Sequence, residues 1–232
     1  MRNALLTTLC VLIYICGFTQ QFTLRELQLM SISSGVNSQT FDNQYQSING
    51  SAFLFDNWVQ GEAISGITGQ HFTGLKLKVD LYKSKIFLNL HDTVYDLSDA
   101  ANINRFILFP GENDTIKKMI FTYKAPVPGA ASKLMQVLAE GPKISLYKNF
   151  TKNPEQAQTG LYAAKEERFM DYKHYYAVKD GAVTEVTISK KGFDKVFTGD
   201  DAEKIKAHLK SKGLSPGNED GWAEAFTYYN SL

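Results

Sequence analysis

The chain has 232 residues, with 25 Lys plus Arg against 24 Asp plus Glu and a formal net charge of +1. That balance excludes the clustered basic field that binding to nucleic acid or anionic lipid requires, while the length is enough to bury a large core. Two cysteines are too few for a disulfide framework, or for a structural zinc site without other ligands.

Arg2, followed by the apolar run from Ala4 to Phe18, reads as a secretory signal peptide over residues 1–19, with Gly17 and Thr19 fitting a cut after Thr19. The run of about 15 residues is shorter than the roughly 20 a membrane-crossing helix needs. Cleavage removes Arg2, Cys10 and Cys16 and no acidic residue. The mature chain is therefore expected to be neutral, thiol-free and without a transmembrane span. It would be exported to the periplasm or the exterior, or sit peripherally on an outer membrane.

Residues 20–49 read as an N-terminal segment, helix or edge strand from Phe22 to Ile32, followed by a polar Ser, Asn and Gln-rich linker over 33–49. A single β-rich domain is expected over 50–232. Leu75, Leu77, Val79 and Leu81 alternate with Lys76, Lys78 and Asp80, which places the aliphatic side chains on a core face and the charges on a solvent face. Ile86 to Leu90 should pair with that strand as a hairpin. Further short strands are expected at Thr93 to Leu97, Arg105 to Phe109, Lys118 to Tyr123, Leu134 to Leu138 and Ile144 to Tyr147. Tyr175 to Lys179 and Ala182 to Ser189 flank Asp180-Gly181, a favoured two-residue hairpin turn.

The period then changes to that of helices. One helix is expected over about 200–213, capped by Asp200 with Glu203, striped by Ile205 and Leu209 and stopped by Gly213; another is expected over about 218–230 from Asn218, with Trp222, Phe226 and Tyr229 on one face. The fold class is thus α+β and mainly β. It is an antiparallel meander, forming a sandwich or a partly closed barrel, with two C-terminal helices packed on it.

Chemical motifs are sparse. Gly213 to Gly217 matches G-x-S-x-G, but it falls between two helices and places Pro216 where an oxyanion-hole N–H would be needed. His71, His91, His174 and His208 lack metal-ligand spacing, so no metal and no cofactor is expected. His91-Asp92 reads as a solvent-exposed pair. Gly61, Gly66, Gly69 and Gly74 fit tight turns better than a phosphate cradle. Three sequons, at Asn49, Asn113 and Asn149, act as glycan acceptors only in a host with that pathway. Asp92-Thr93-Val94 and Asp114-Thr115-Ile116 fit a short pattern for O-linked sugars in some exported proteins.

Aromatic residues carry the functional reading. Clusters at Phe53, Phe55 and Trp58, at Tyr172, Tyr175 and Tyr176, and at Trp222, Phe226, Tyr228 and Tyr229 serve either as a β core or as a ligand platform. Trp58, Tyr175 and Tyr176 are taken as the candidate ligand-binding residues. The run Gly50-Ser51-Ala52-Phe53-Leu54-Phe55-Asp56-Asn57-Trp58-Val59-Gln60-Gly61, the strand Leu75 to Leu81, and the end from Lys190-Lys191 and Phe197 through residues 200–212 resemble uncharacterised exported proteins of Bacteroidetes-type bacteria. That resemblance implies an envelope or secreted location and supplies no catalytic residue. The expected function is a non-enzymatic exported binding or envelope-associated module, whose partner is an envelope protein, a peptide or a glycan. The alternatives are an extracytoplasmic hydrolase acting on glycans or peptides and an accessory subunit of an outer-membrane or cell-surface assembly.

Overall fold

The computed structural model describes residues 35–98, 100, 102–111, 118–130, 133–157 and 165–232. The signal peptide with Cys10 and Cys16, the segment from Phe22 to Ile32, the sequon at Asn113 and the motif at Asp114 lie outside the described residues. The chain begins with β1 (Gly35–Asn37) and α1 (Ser38–Asp42), then β2 (Val59–Ser65), β3 (His71–Asp80), β4 (Lys85–Leu90) and β5 (Thr93–Asp96). It continues with β6 (Ile103–Phe109), β7 (Met119–Thr122), β8 (Met135–Ala139), β9 (Ile144–Ala157), β10 (Glu166–Lys179) and β11 (Ala182–Val186). Three helices follow: α2 (Lys190–Val196), α3 (Gly199–Ser211) and α4 (Glu219–Ser231).

The strands form one antiparallel sheet in the order β1-β5-β4-β3-β2-β6-β7-β8-β9-β10-β11. The mainly β meander with two C-terminal helices on the sheet is therefore what the structure has. It is a single sheet rather than the pair of a sandwich, and it is not closed. No helix among the described residues is long and apolar enough to cross a membrane.

The turns follow local chemistry. His91-Asp92 and Asp180-Gly181 each join paired strands with positive φ at both positions (49° and 60°, 51° and 78°), the geometry that suits the right-handed twist of a two-residue hairpin. Gly61, by contrast, lies inside β2, where a Cβ would come within 2.5 Å of the Ile107 carbonyl oxygen. Close strand approach, not a turn, requires that glycine.

Strands β2 to β7 roll around their own apolar face. Between β5 and β6 the chain crosses back over four strand spacings, roughly 19 Å on a flat sheet, in the short stretch from Leu97 to Asn102. Its described residues turn back rather than run extended: Ala100 N–H donates to Leu97 O and Ile103 N–H to Ala100 O. The sheet must curl to bring β5 towards β6. Leu97 and Ala100 accordingly lie in the core with Leu75, Leu77, Ile86, Leu88 and Phe106, each large side chain contributing about 1.5–3 kcal/mol by burial. Tyr123, just after β7, ties the roll together, since its hydroxyl accepts from Ile86 N–H (3.0 Å) and bonds Ser98 Oγ (3.1 Å).

The C-terminal strands bury their face under helices instead. Ile144, Leu146 and Ala177 pack on Phe193, Phe197, Ile205, Leu209, Trp222 and Phe226. Helix α3 starts from Thr198, with Asp200 and Asp201 in its first turn. Asp200 therefore does not cap the helix but faces the positive end of its dipole. Gly213, at φ 67°, ends it as expected, with Gly213 N–H donating to Lys210 O and Leu214 N–H to Leu209 O, a Schellman closure. Asn218 caps α4 through its side chain, which accepts from Gly221 N–H at 2.9 Å. The strand expected through Ser189 ends at Val186, and residues 187–189 lead into helix α2. The Ser189 hydroxyl caps it by accepting from Gly192 N–H at 2.9 Å.

Candidate functional site

The groove that stands out is built ahead of the sheet's central strands, from residues 38–58. Helix α1 has only five residues and is capped by the Asn37 side chain, which accepts from Gln39 N–H. Its stability comes from packing. Phe41 sits 4.7 Å from the Phe87 ring, 5.5 Å from Phe53 and 5.7 Å from Trp58, and Val94 completes this cluster on the outer face of β4 and β5. The stretch expected to be a polar linker thus includes a strand, a helix and turns packed against the sheet.

Residues 50–58 form a strap beside the end of β3. Leu54 N–H donates to Val79 O and Leu81 N–H to Ala52 O, both at 2.9 Å. From β9, Lys152 Nζ donates to Ser51 O (2.9 Å) and Phe53 O (3.1 Å), pinning the strap from a second direction.

Under the strap lie two charges that strand alternation assigns to solvent. Lys78 is 6% exposed and Asp80 fully buried. The alternation itself is correct; what the outer face meets is α1 and the strap rather than water. Lys78 Nζ donates to Asp42 Oδ1 at 3.2 Å and lies 4.4 Å from the Phe53 ring centroid and 5.4 Å from that of Trp58. Desolvation of an ammonium is offset here by one ion pair and two aromatic faces. Asp80 accepts from the Tyr45 hydroxyl (2.5 Å) and from Lys83 N–H (2.7 Å). Burial raises the Asp80 carboxyl above its usual range despite those bonds. Burial, reinforced by the Asp80 carboxylate, also raises the Tyr45 phenol.

Together these groups enclose an open groove of about 510 Å³, lined among others by Asp42, Tyr45, Gln46, Ser51, Phe53, Asp56, Asn57, Trp58 and Lys78. The volume lies within the ~300–1,000 Å³ of small-molecule sites.

Of the three candidates from the sequence, only Trp58 lies here. Tyr175 and Tyr176 are consecutive in β10 and so point to opposite faces. Tyr175 donates to Glu219 Oε2 at 2.7 Å beneath α4; burial and that carboxylate raise its phenol. Tyr176 packs with Met135, Val137 and Tyr147 on the other side. Trp222 and Phe226 are fully buried. Tyr172 donates to Glu155, and Tyr228 stacks on His208 with centroids 3.8 Å apart. The residues that sequence reasoning missed are Lys78, Asp42 and Tyr45. The available signal was the polar stretch's spaced aromatics, Phe41 and Tyr45.

The other motifs resolve into structural parts. Ser215 lies in the α3–α4 loop with its hydroxyl accepting from Gly217 N–H. His71, His174 and His208 are each paired with a carboxylate, respectively Glu62, Glu185 and Glu224. Among the described residues no three His, Cys, Asp or Glu side chains gather as metal ligands. Asn149 is fully buried and donates to Leu134 O, so the folded protein cannot present that sequon, whereas Asn49 is exposed. Compared with family models, with curated proteins and with solved structures, the chain matches none.

Proposed function

We propose that the protein is a non-enzymatic, exported binding module whose working surface is the groove under residues 50–58. The observation that carries this reading is the state of the groove's charges. Lys78 is committed to Asp42 and to two rings, and Asp80 to Tyr45 and Lys83 N–H. Of the lining carboxylates Asp42 is tied to Lys78, which leaves Asp56 at the exposed rim as a single carboxylate with no histidine among the described lining residues to exchange a proton with it. What faces the opening is a half-buried indole with a polar rim, a recognition surface rather than a reactive one. Export rests on the signal-peptide pattern of residues 1–19.

The test is retention. Full-length protein expressed with its leader and recovered from the exported fraction should begin at Gln20 and carry bound envelope material identifiable by mass spectrometry. A Trp58→Ala variant should lose that material while keeping its circular dichroism. Equal retention by the variant would remove the groove from the function, and conversion of the retained material to product would replace binding by catalysis.

A further inference from the structure

Resting on that reading, we infer that the groove is a subsite for a neutral saccharide, with one pyranose face laid on Trp58 and its hydroxyls met by the side chains of the rim. Three properties of the site select this ligand class.

The first is charge. Of the lining residues Asp42, Asp56 and Lys78 are ionised groups, and the single cation is already held by Asp42 at 3.2 Å. A phosphate, sulfate or uronate would meet Asp56 with no uncommitted cation among the described lining residues to receive it, so an anionic ligand is disfavoured.

The second is the state of the main chain. An extended peptide is recognised largely through backbone N–H and C=O groups along a strand edge. In the strap, Ser51 O and Phe53 O accept from Lys152, Ala52 O accepts from Leu81 N–H, and Leu54 N–H donates to Val79 O. Phe53 N–H is turned onto Ser51 Oγ at 3.2 Å. From Ser51 to Leu54 these main-chain groups are directed into the protein, leaving side chains to do the recognising along that part of the strap.

The third is the pairing of surfaces. A pyranose has an apolar C–H face and an equatorial ring of hydroxyls, each both donor and acceptor. The groove offers the matching halves: the half-buried ring of Trp58, packed with buried Phe53 and Lys78, and a rim of Gln46, Asp56 and Asn57, whose amides and carboxylate supply donors and acceptors together. Such a ligand needs no counter-charge, and amphipathic aromatic rings suit it.

Intrinsic fluorescence isolates the site. The chain has two tryptophans, and Trp222 is fully buried with its indole N–H donating to Pro216 O at 2.8 Å, so a ligand-dependent change in emission belongs to Trp58. Full-length mature protein is titrated with cellohexaose, mannohexaose, xylohexaose and N-acetylchitohexaose, with oligogalacturonate as the anionic arm and an alanine-lysine peptide as the peptide arm. The same ligands are followed by calorimetry. The expected result is saturable quenching by at least one neutral hexasaccharide. Asp56→Asn and Asn57→Ala should each weaken binding about tenfold, the usual weight of a well-made hydrogen bond. Trp58→Ala should remove the calorimetric signal, and His174→Ala should leave it unchanged.

No response to any neutral saccharide overturns the inference. Saturation by the oligogalacturonate or the peptide alone, still lost in Trp58→Ala, overturns the ligand class and leaves the binding module standing. Binding followed by release of shorter saccharides supports the ligand class and overturns the non-enzymatic reading. Saccharide binding that survives Trp58→Ala in calorimetry overturns the site.

Discussion

Strands β2 to β7 bury their apolar face by curling it onto itself around Leu77, Ile86 and Phe106, whereas β8 to β11 bury theirs under three helices through Phe193, Trp222 and Phe226. The difference decides where a ligand has room. A sheet region that covers itself leaves its outer face to the chain ahead of it, and here that chain lays α1 and the strap over Lys78 and Asp80 with a groove between them. In the helical region the added layer fills the face, and the junction is sealed. Lys148, 7% exposed, bonds both oxygens of Glu219 (2.9 and 3.1 Å), and Tyr175 donates to the same carboxylate. Since Ile144 and Leu146 lie in one core and Phe150 packs on the other, β9 is common to both.

The largest expected effect probes whether that shared strand makes the two regions one unfolding unit. Trp222→Ala empties a fully buried site packed on Phe193 and Phe226 and should cost about 3–5 kcal/mol. In urea, the helix signal by circular dichroism and the emission of the remaining Trp58 should fall in one shifted transition. Two separate transitions would show that the regions are independent folding units.

A smaller loss is expected at the seam itself. Glu219→Gln strands the Lys148 ammonium in a nearly dry position and should cost about 2 kcal/mol, less than a fully enclosed pair because the carboxylate is 33% exposed. Adding Lys148→Met should recover most of that loss, because an apolar group of similar length needs no partner. A double variant no more stable than Glu219→Gln would show that packing, not the stranded charge, sets the cost.

The smallest effect is a pH dependence at Asp96, in the rolled region. Burial raises the Asp96 carboxyl, but bonds from Lys85 and Ser98 outweigh it and hold the group below its ordinary range. A carboxyl lowered in the fold contributes stability at pH values above its unfolded pKa, about 3.9, and loses it as pH falls through the folded value. Stability measured across the acid limb should therefore fall less steeply in Asp96→Asn than in the native protein. An unchanged slope would assign the acid sensitivity elsewhere.

The parts of the fold readable from sequence were those governed by local period and turn chemistry. The alternation in β3, the Asp180-Gly181 hairpin and the Gly213 stop are each fixed within a few residues. The outer parts of β9 and β10 were not readable. Both strands run 14 residues, yet their far portions carry Pro154 and a run of charged and polar residues, with register supplied by each other rather than by a buried face. The order of β1 and the curl of the sheet are long-range matters that no local pattern encodes. Trp58 was legible because exposed-capable aromatics are conspicuous. Lys78 was not, because its role depends on a segment arriving from thirty-odd positions earlier in the chain, Asp42 lying 36 residues away.

Strand β1 is three residues long and is held to β5 by the pairs Gly35↔Tyr95, Val36↔Val94 and Asn37↔Thr93. The chain passes from it directly into α1, which carries Asp42, and on to Tyr45. Tension applied ahead of Gly35 would reach these three pairs first and then the Asp42 wall of the groove, before it met Asn49, whose N–H donates to Glu167 O and whose carbonyl accepts from Phe169 N–H of β10. Under such a pull the groove would lose a wall before the sheet lost its fold.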